Sequence, residues 1–340
     1  MDNINFKKYG SIENLSNNKF LNAVHNCFFD LPDKEFVVLE KAHGAHFSFQ
    51  TNGQIANCAR RNNIIQDDEI FYEYDKILAK HLSKILQIFK LIKNKFGNAE
   101  TIQIDGELIG GEYPHPDIEQ LGLARIQTGV YYCPDYRFYA YDIKYFDNIW
   151  QYVDYDICMD IFSKLDILYA KPLQRGKFKD VINYDPTFQT TIPHELNLPE
   201  IKNNIAEGVV IKPMHALYLP SGSRVIFKNK TDSFGEIKKK SNNPIVLKDI
   251  PDEIIELMDE ILRMITQNRL NNVISKIDII TSKDMGKLIG LLAGDVIEEY
   301  NKIHGKEKLK SIDKKNKKKV TKKLANECKI LVGDFLDKNK

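Results

Sequence analysis

The sequence lacks the long apolar segments that mark membrane and secreted proteins. No uninterrupted apolar run approaches the roughly 18 residues that span a bilayer, and the opening MDNINFKKYG lacks the apolar core of a secretion signal. The composition, 43% hydrophobic and 28% charged, excludes a disordered or fibrous chain for most of the length. We therefore expect a soluble intracellular protein, cytoplasmic and without a membrane partner.

Cysteine is scarce and scattered, and several catalytic signatures are missing. The five cysteines are odd in number and show no C-x-x-C spacing, which argues against a disulfide framework or a zinc knuckle. The sequence contains no P-loop G-x-x-x-x-G-K-[ST] and no Ser/His/Asp pattern. Any nucleotide chemistry must therefore depend on a different kind of site.

The net charge is small but unevenly placed. The chain carries +2, yet residues 301–340 hold 14 lysines and five acidic residues, or +9, which leaves −7 for the first 300 residues. A basic end on a mildly acidic body indicates a polyanionic partner that one domain contacts. A solvated lysine-rich face would have the same composition, and KKNKKK at 314–319 also resembles a nuclear-localisation signal, so the charge alone leaves these interpretations open.

The hydrophobic pattern changes character near residue 240. Before that point helical and strand patterns mix, and NG at 52–53 is a strong hairpin signal; after PIVLKDIP only helical periodicity remains. These patterns predict an α+β domain over 1–240, a linker over 241–251 and an all-helical domain over 252–340. The predicted helices of the first domain are 12–29, 69–96 and DYDICMDIFSKL, and its predicted strands are 36–41, 46–51, 54–60, 101–111, 136–146, 205–213 and 223–230.

Charged residues interrupt four of the predicted strand segments. Burial of unpaired charges is costly, so these side chains must face one another or a ligand if the strands pack together. Four such interruptions predict a polar cleft between two sheets. The positions concerned are Lys41, Glu107, Glu207 with Lys212, and Lys228 with Lys230.

A nucleoside triphosphate bound in that cleft would give these residues a chemical role. Lys41 would be the nucleophile, because the nearby cations Lys228 and Lys230 favour an uncharged amine. The same two cations would then stabilise charge that builds on the attacked phosphate. Glu207, a hard oxygen donor, suits Mg²⁺.

Six motifs follow one another along the chain, namely EKAHGAHFSF, CARR, DGELIGG, RFYAYDI, AEGVVIKP and RVIFKNK. The first resembles the K-x-H/D-G nucleotidyltransferase motif, and the set resembles, in order and spacing, the type 2 RNA ligases. This family is the group of the bacteriophage double-stranded RNA ligase and the kinetoplastid RNA-editing ligases. NRLNNVISKI and KDMGKLIGL are similar to the helical C-terminal domain of the phage-type enzyme, whereas DNA ligases and capping enzymes carry an oligonucleotide-binding-fold partner domain.

This resemblance implies an ATP-dependent RNA ligase that seals 3′-OH/5′-phosphate nicks in duplex RNA with the help of Mg²⁺. The implied architecture is an adenylyltransferase domain of the ATP-grasp-like ligase type, built of antiparallel sheets with helices, followed by a helical RNA-binding domain. Lys41 would attack the ATP α-phosphorus, AMP would pass to an RNA 5′-phosphate, and an RNA 3′-hydroxyl would displace AMP. We expect nicked duplex RNA as the partner and no obligate protein partner.

The resemblance also implies a role for each motif residue. Glu40 would contact the adenine, and Tyr141 would stack on it, with Phe138 or Tyr139 taking that place if the strand register differs. Glu107 and Glu207 also have a simpler interpretation, as structural salt-bridge partners of the lysines. The remaining implied roles are Glu107 at the ribose, Glu207 at the metal, Lys212, Lys228 and Lys230 at the phosphate, and His43 and Arg61 at the adenylylated end or the nick.

The sequence departs from the family pattern at His46, where the phage-type enzyme has asparagine. Both side chains donate a hydrogen bond, but a histidine can change its charge near neutral pH. The contact at this position and the pH optimum therefore stay open. Rival functions are another covalent nucleotidyltransferase, such as a DNA ligase or an mRNA capping enzyme, and a non-catalytic RNA-binding protein on a ligase scaffold.

Overall fold

The computed structural model describes residues 4–66, 69–235, 251–277 and 284–338. The chain forms two compact units, one of Met1–Ser16 with Phe20–Thr231 and one of Asn17–Lys19 with Asp232–Lys340. The predicted linker 241–251 lies outside the described residues except for Pro251, which directly precedes a helix.

The first unit contains two five-stranded sheets. Its strands are β1 Glu13–Asn14, β2 Glu35–Glu40, β3 Ala45–Thr51, β4 Ala56–Ala59, β5 Thr101–Gly110, β6 Tyr136–Asp147, β7 Ile149–Tyr152, β8 Pro172–Lys177, β9 Gly208–Pro213 and β10 Phe227–Lys230. Sheet A has the order β1-β10-β9-β2-β8 and sheet B the order β4-β3-β5-β6-β7. All pairs are antiparallel except β1 with β10, so the expected α+β class with antiparallel sheets is confirmed.

Helices cover the apolar face of each sheet. The helices of this unit are α1 Asn18–Cys27, α2 Tyr74–Phe96, α3 Tyr155–Lys164, α4 Phe178–Val181 and α5 Ile192–Glu195. In sheet A, Phe36, Val209 and Phe227 pack into one cluster with Val24 of α1. In sheet B, Phe49 and Ile104 pack into a second cluster with the buried stripe of α2. Because side chains alternate along a strand, the opposite faces of the two sheets carry the polar residues.

Most predicted elements of the first unit are present, with shifted ends. The NG hairpin joins β3 to β4, and Gly53 has the positive φ, 92°, that such a turn requires. The predicted helix 69–96 begins only at Tyr74, because Tyr72 and Glu73 adopt left-handed backbone angles. The predicted helix 12–29 was wrong at its start, where Glu13 pairs with Phe227 in a strand. The short elements β7, β8, α4 and α5 were not predicted, because four to six residues give little periodicity.

The second unit is helical in its described part. Its helices are α6 Asp252–Arg263, α7 Gln267–Ile274, α8 Met285–His304, α9 Lys306–Lys310 and α10 Lys314–Lys338. Every fourth residue of α8 from Leu288 to Tyr300 is buried, as is every fourth residue of α10 from Val320 to Val332, and these stripes belong to one apolar cluster. No helix in the described ranges is long and apolar enough to cross a membrane.

Candidate active site

The loop that follows β2 carries the predicted nucleophile and is tightly fixed. The backbone N–H of Lys41 donates to the carbonyl oxygen of Gly208 at 2.9 Å, which extends the pairing of β2 with β9 by one residue. Three residues later, a Cβ at Gly44 would collide with the carbonyl oxygen of Leu108 in β5. The loop therefore bridges sheet A to sheet B, and only glycine permits the close approach.

Glu207 is the centre of a cluster of charged side chains. Lys41 Nζ donates to Glu207 Oε2 at 2.7 Å, and Lys230 Nζ lies 3.0 Å from Glu207 Oε1. His43 Nδ1 lies 3.7 Å from Glu207 Oε2. The structure thus brings together four predicted site residues from three motifs. They are Lys41 and His43 of EKAHGAHFSF, Glu207 of AEGVVIKP and Lys230 of RVIFKNK.

Electrostatics keeps Glu207 ionised in this cluster. The carboxyl is almost fully buried, which by itself would raise its pKa, but Lys230, Lys41 and His43 lower the pKa to about 2. Burial lowers the pKa of His43 although Glu207 opposes it, and Lys41 and Lys230 act with burial, so the imidazole is held towards its neutral form. Glu207 thus forms salt bridges with both Lys41 and Lys230.

Glu107 faces the same cluster from sheet B. Burial raises its pKa to about 8, Lys41 and Arg61 oppose that rise, and Glu207 adds to it. Its Oε2 atom is buried and has no hydrogen-bond partner within the part of the chain that the structure describes. A buried oxygen without a partner is unfavourable, so Glu107 is positioned to receive a hydrogen bond from a ligand.

Lys228 lies on the same face of β10 as Lys230. The two residues are separated by one position, and side chains alternate along a strand. Lys228 is opposite Val210 of β9, and Lys230 is opposite Gly208, where φ is 145° and a Cβ would collide with the carbonyl oxygen of Asn229. Gly208 thus permits the close pairing that sets Lys230 beside Glu207.

Lys212 does not join the Glu207 cluster. It donates to Asp142 Oδ1 at 2.7 Å, and Arg224 Nη1 donates to Asp142 Oδ2 at 2.7 Å. Tyr9 donates its hydroxyl to the same Asp142 oxygen at 2.6 Å. Burial alone would raise the pKa of Asp142, but Arg224 and Lys212 together hold it well below its usual value, so the carboxylate is ionised. Lys212, for which we expected a role at the phosphate, instead belongs to a buried ion cluster that joins β9 to β6.

Tyr141 lies at an irregularity in β6. The pairing of β6 with β5 passes from Asp142 opposite Asp105 to Ala140 opposite Gly106, and leaves Tyr141 without an opposite residue. Tyr141 consequently contacts Tyr9 edge-on, with ring centroids 5.2 Å apart. Phe138 is buried in the α2 cluster, so the inner face of the strand presents Tyr139 and Tyr141.

Glu40 is bound away from Lys41. Its carboxylate accepts from the backbone N–H and hydroxyl of Thr191, both at 2.7 Å, and from the hydroxyl of Thr190. Neighbouring strand residues point to opposite faces, so the Glu40 side chain shares the face of Phe36 and Val38. The structure therefore does not bring the Glu40 carboxylate into the cluster around Glu207.

His46 is next to this inner face. Its Nε2 lies 3.5 Å from Asp105 Oδ1, and its ring centroid is 5.6 Å from that of Tyr9. His46 is opposite Glu107 in the pairing of β3 with β5. His46 thus lies directly beside Glu107 on the neighbouring strand.

The sequence interpretation missed several buried residues of these clusters. Asp142 lies inside the quoted motif RFYAYDI, and Arg224 is the first residue of RVIFKNK. The cost of burying an unpaired charge, which pointed to Lys41, applies equally to an aspartate in an aromatic strand. Tyr9, Tyr132, Thr190 and Thr191 carry no such signal, because tyrosine and threonine are common in loops and cores.

Comparisons with known proteins identify the family of this chain. Two sheets of the first unit face each other across a lysine–carboxylate cluster. The RNA ligase family model matches residues 34–230, and the model described as T4 RNA ligase 2 C-terminal matches residues 248–330. The chain belongs to the RNA ligase family, in its type 2 group.

Several known RNA ligases are similar to this chain. The mitochondrial RNA-editing ligase 2 of Trypanosoma brucei brucei is 29% identical over 87% of this chain and 83% of the relative. The mitochondrial RNA-editing ligase 1 of the same organism is 25% identical over 88% of this chain and 76% of the relative. Among solved structures, a Naegleria gruberi RNA ligase superimposes with a TM-score of 0.45 at 16% identity, and the match covers 67% of this chain and 57% of the solved one.

Proposed function

We propose that this protein is an ATP-dependent RNA ligase that seals 3′-OH/5′-phosphate nicks in duplex RNA through lysyl-AMP and RNA-adenylate intermediates. The observation that carries the proposal is the placement of Lys41 Nζ 2.7 Å from the buried Glu207, with Lys230 on the other carboxylate oxygen. The Lys41 amine is thus held in a fixed position between the two sheets, where a nucleophile would be expected in a member of the RNA ligase family.

In the first step the Lys41 amine forms a bond to the α-phosphorus of ATP, and the bond from that phosphorus to pyrophosphate breaks. Lys41 attacks as the uncharged amine, after one proton has passed to solvent, and its hydrogen bond to Glu207 Oε2 orients it. Lys230, with Lys228 on the same strand face, then stabilises the negative charge on the phosphate oxygens. Glu107, with its buried Oε2, accepts a hydrogen bond from a hydroxyl of the nucleotide.

In the second and third steps the AMP moves from Lys41 to an RNA 5′-phosphate, and the 3′-hydroxyl attacks that phosphate to release AMP. His43 and Arg61 are assigned to the RNA end in these steps. Burial and the lysines lower the pKa of His43, so its neutral imidazole can accept a proton. Tyr141 provides an aromatic face for the adenine.

Mg²⁺ is the proposed metal, and the residues present are compatible with it. Within the described ranges no three His, Cys, Asp or Glu side chains form a metal cage. Mg²⁺ usually keeps several waters and uses one or two carboxylates together with substrate phosphates. The ionised Glu207 is the carboxylate that would hold it, and the bound ion would offset negative charge on the phosphates.

The proposed RNA surface is one side of α10. Lys315, Lys318, Lys322 and Lys329 are exposed and share the side opposite the buried stripe of Val320 to Val332; we call these four the α10 lysine face. At 1.5 Å per residue they extend over about 21 Å, which is long enough to contact several phosphates of a duplex.

Covalent labelling tests the first step. The purified protein, freed of bound AMP, is incubated with α-labelled ATP or GTP and Mg²⁺, then separated by denaturing electrophoresis and weighed intact. We expect an AMP adduct in the wild type and none in Lys41→Ala. Lys41→Arg is the matched control, because it keeps a cation beside Glu207 but cannot act as a nucleophile, and we expect it to fold and to form no adduct.

Substrate comparison tests the remaining steps. Nicked duplexes with ribose or deoxyribose at the 3′ end, and single strands of the same sequence, are incubated with the adenylylated protein. We expect sealing to be fastest at the nick in duplex RNA. Labelling by GTP in preference to ATP would favour a capping enzyme, and a folded wild type that forms no adduct would favour a non-catalytic RNA-binding protein.

A further inference from the structure

Tyr132 contacts the nucleophile loop from a segment that the sequence presents as an irregular loop. Its hydroxyl oxygen accepts a hydrogen bond from the backbone N–H of His43 at 2.9 Å. The side chain is fully buried, and neither β5 nor β6 contains it. A tyrosine from a separate segment therefore binds the backbone two residues after Lys41.

Backbone contacts also fix the loop between β2 and β3 on either side of His43. Lys41 N–H donates to Gly208, and Gly44 packs against Leu108, so His43 N–H is the donor between these two points. A buried N–H without an acceptor is unfavourable, and the Tyr132 hydroxyl supplies that acceptor. Burial and the Glu40 carboxylate raise the pKa of Tyr132, which keeps the hydroxyl neutral.

Asn204 holds the segment that carries Tyr132. Its Oδ1 accepts from the backbone N–H of Tyr131 at 2.9 Å, and its Nδ2 donates to the backbone carbonyl of Tyr131 at 2.7 Å. Asn204 is buried and lies three residues before Glu207. One side chain therefore connects the Tyr132 segment to the chain that carries the partner of Lys41.

We propose that Tyr132 is a positioning residue for adenylylation, held in place by Asn204. Its hydroxyl fixes the backbone between Lys41 and Gly44, so that Lys41 Nζ stays next to Glu207 when the α-phosphate arrives. The inference rests on the proposed function, since it assumes that Lys41 is the nucleophile. Tyr132 acts through the loop and does not touch the reacting atoms.

The test is the single-turnover rate of AMP-adduct formation in the full-length protein. Tyr132→Phe keeps the ring and removes the hydroxyl, so His43 N–H loses its acceptor. We expect the rate constant at saturating ATP to fall about tenfold, while the ATP concentration for half-maximal rate changes by less than about twofold. The matched control is Tyr131→Phe, which removes a hydroxyl from the next residue, and we expect it to leave both values unchanged.

A second variant tests the link through Asn204. Asn204→Ala removes both hydrogen bonds to the Tyr131 backbone, and we expect it to slow adenylylation by about the same factor. If Asn204 acts through Tyr132, the double variant will be about as slow as the slower single variant. Multiplication of the two effects would show that Asn204 acts elsewhere and would overturn that part of the inference.

Each other outcome is also decisive. A wild-type rate in Tyr132→Phe, or an equal loss in Tyr131→Phe, overturns the inference and leaves the proposed function standing. A melting temperature more than about 5 °C lower in Tyr132→Phe shows that the hydroxyl supports the whole unit and overturns the positioning role. If the folded wild type forms no Lys41-dependent adduct, the proposed function fails and this inference fails with it.

Discussion

At the scale of single residues, the protein keeps two carboxyl groups of one site, Glu207 and Glu107, in unequal protonation states. Glu207 is surrounded by cations and stays ionised, whereas Glu107 meets the same cluster from the other sheet and its pKa is raised to about 8 by burial. Two carboxyl groups of similar chemistry therefore differ because their neighbours differ. Glu207 is therefore the anionic partner of Lys41, whereas Glu107 is held towards its neutral acid form.

The raised pKa of Glu107 predicts that ligand-free stability falls as pH rises. The folded protein keeps this proton up to about pH 8, whereas an unfolded glutamic acid loses it near pH 4.5. Between these two values the folded state binds more protons, so stability decreases with increasing pH. Glu107→Gln removes this dependence, and we expect a gain relative to the wild type on the order of 1–3 kcal/mol at pH 8.

Melting temperatures of the nucleotide-free protein at pH 5, 6, 7 and 8 check this expectation. Glu100→Gln is the control, because it removes an exposed glutamate directly before β5. We expect the curve of Glu107→Gln to separate upward from both other curves as pH rises. Parallel curves for all three proteins would show that Glu107 is not protonated in the folded state.

The residue scale also shows what the sequence could reveal about the site. Lys41, Glu207 and Lys230 were predictable, because a charge in a buried segment requires a partner. In the structure both lysines form salt bridges with Glu207. The Tyr132 contact was not predictable, since it joins residues 89 positions apart through a backbone N–H. Residue types alone do not indicate which side-chain hydroxyl accepts a hydrogen bond from a given backbone N–H.

At the scale of elements, the inner face of the first unit depends on the irregularity in β6. Strict alternation in RFYAYDIKYF would place Phe138, Ala140 and Asp142 on one face. The structure instead buries Phe138 and Ala140 with Ile143, because the shift opposite Asp105 changes the parity of the strand. The existence of the strand was predictable, but this shift was not, since it is set by pairing with another strand.

That shift directs Asp142 towards sheet A, where it joins the two sheets. Asp142 is 1% exposed and binds Lys212 and Arg224. Asp142→Asn would leave two buried cations without their counter-charge, and we expect a loss of about 3–5 kcal/mol in the free energy of unfolding. Asp160→Asn is the control, since its pair with Lys164 on α3 is exposed and contributes about 0–1 kcal/mol.

Denaturant unfolding followed by tryptophan fluorescence measures this effect. The single tryptophan, Trp150, lies in β7 of sheet B, so its signal reports on the first unit. We expect the midpoint of Asp142→Asn to move well below that of the wild type and that of Asp160→Asn to stay close to it. Equal midpoints for the two variants would mean that the buried cluster contributes no more than a surface pair.

At the scale of the whole molecule, charge is divided between the ends of the chain. Residues 301–340 carry +9, and the preceding 300 carry −7. The division was visible in the sequence, but its geometry was not, because a lysine-rich segment can be solvated on all sides. The structure folds the segment into α10, whose buried stripe leaves the α10 lysine face on the opposite side. A basic face on one helix is suited to follow a line of phosphates.

Substitution of the α10 lysine face by glutamine is therefore expected to weaken RNA binding and to reduce its salt dependence. Each lost phosphate contact lowers the slope of log affinity against log salt by about 0.9 on duplex nucleic acid, so four contacts correspond to about 3–4. The control variant replaces four exposed lysines of α2, namely Lys80, Lys90, Lys93 and Lys95. Both variants remove the same total charge, which separates a local contact from a general change of net charge.

Fluorescence anisotropy with a labelled nicked RNA duplex, at several salt concentrations between low and physiological, gives the slopes. We expect the α10 variant to bind less tightly and with a shallower slope, the α2 variant to match the wild type, and all three proteins to form the AMP adduct at the same rate without RNA. The adduct rate matters because Lys41 and its partners lie in the first unit, so loss of phosphate contacts on α10 leaves that step intact. If the α10 and α2 variants reduce the slope equally, net charge alone attracts the RNA, and the α10 lysine face is not its binding surface.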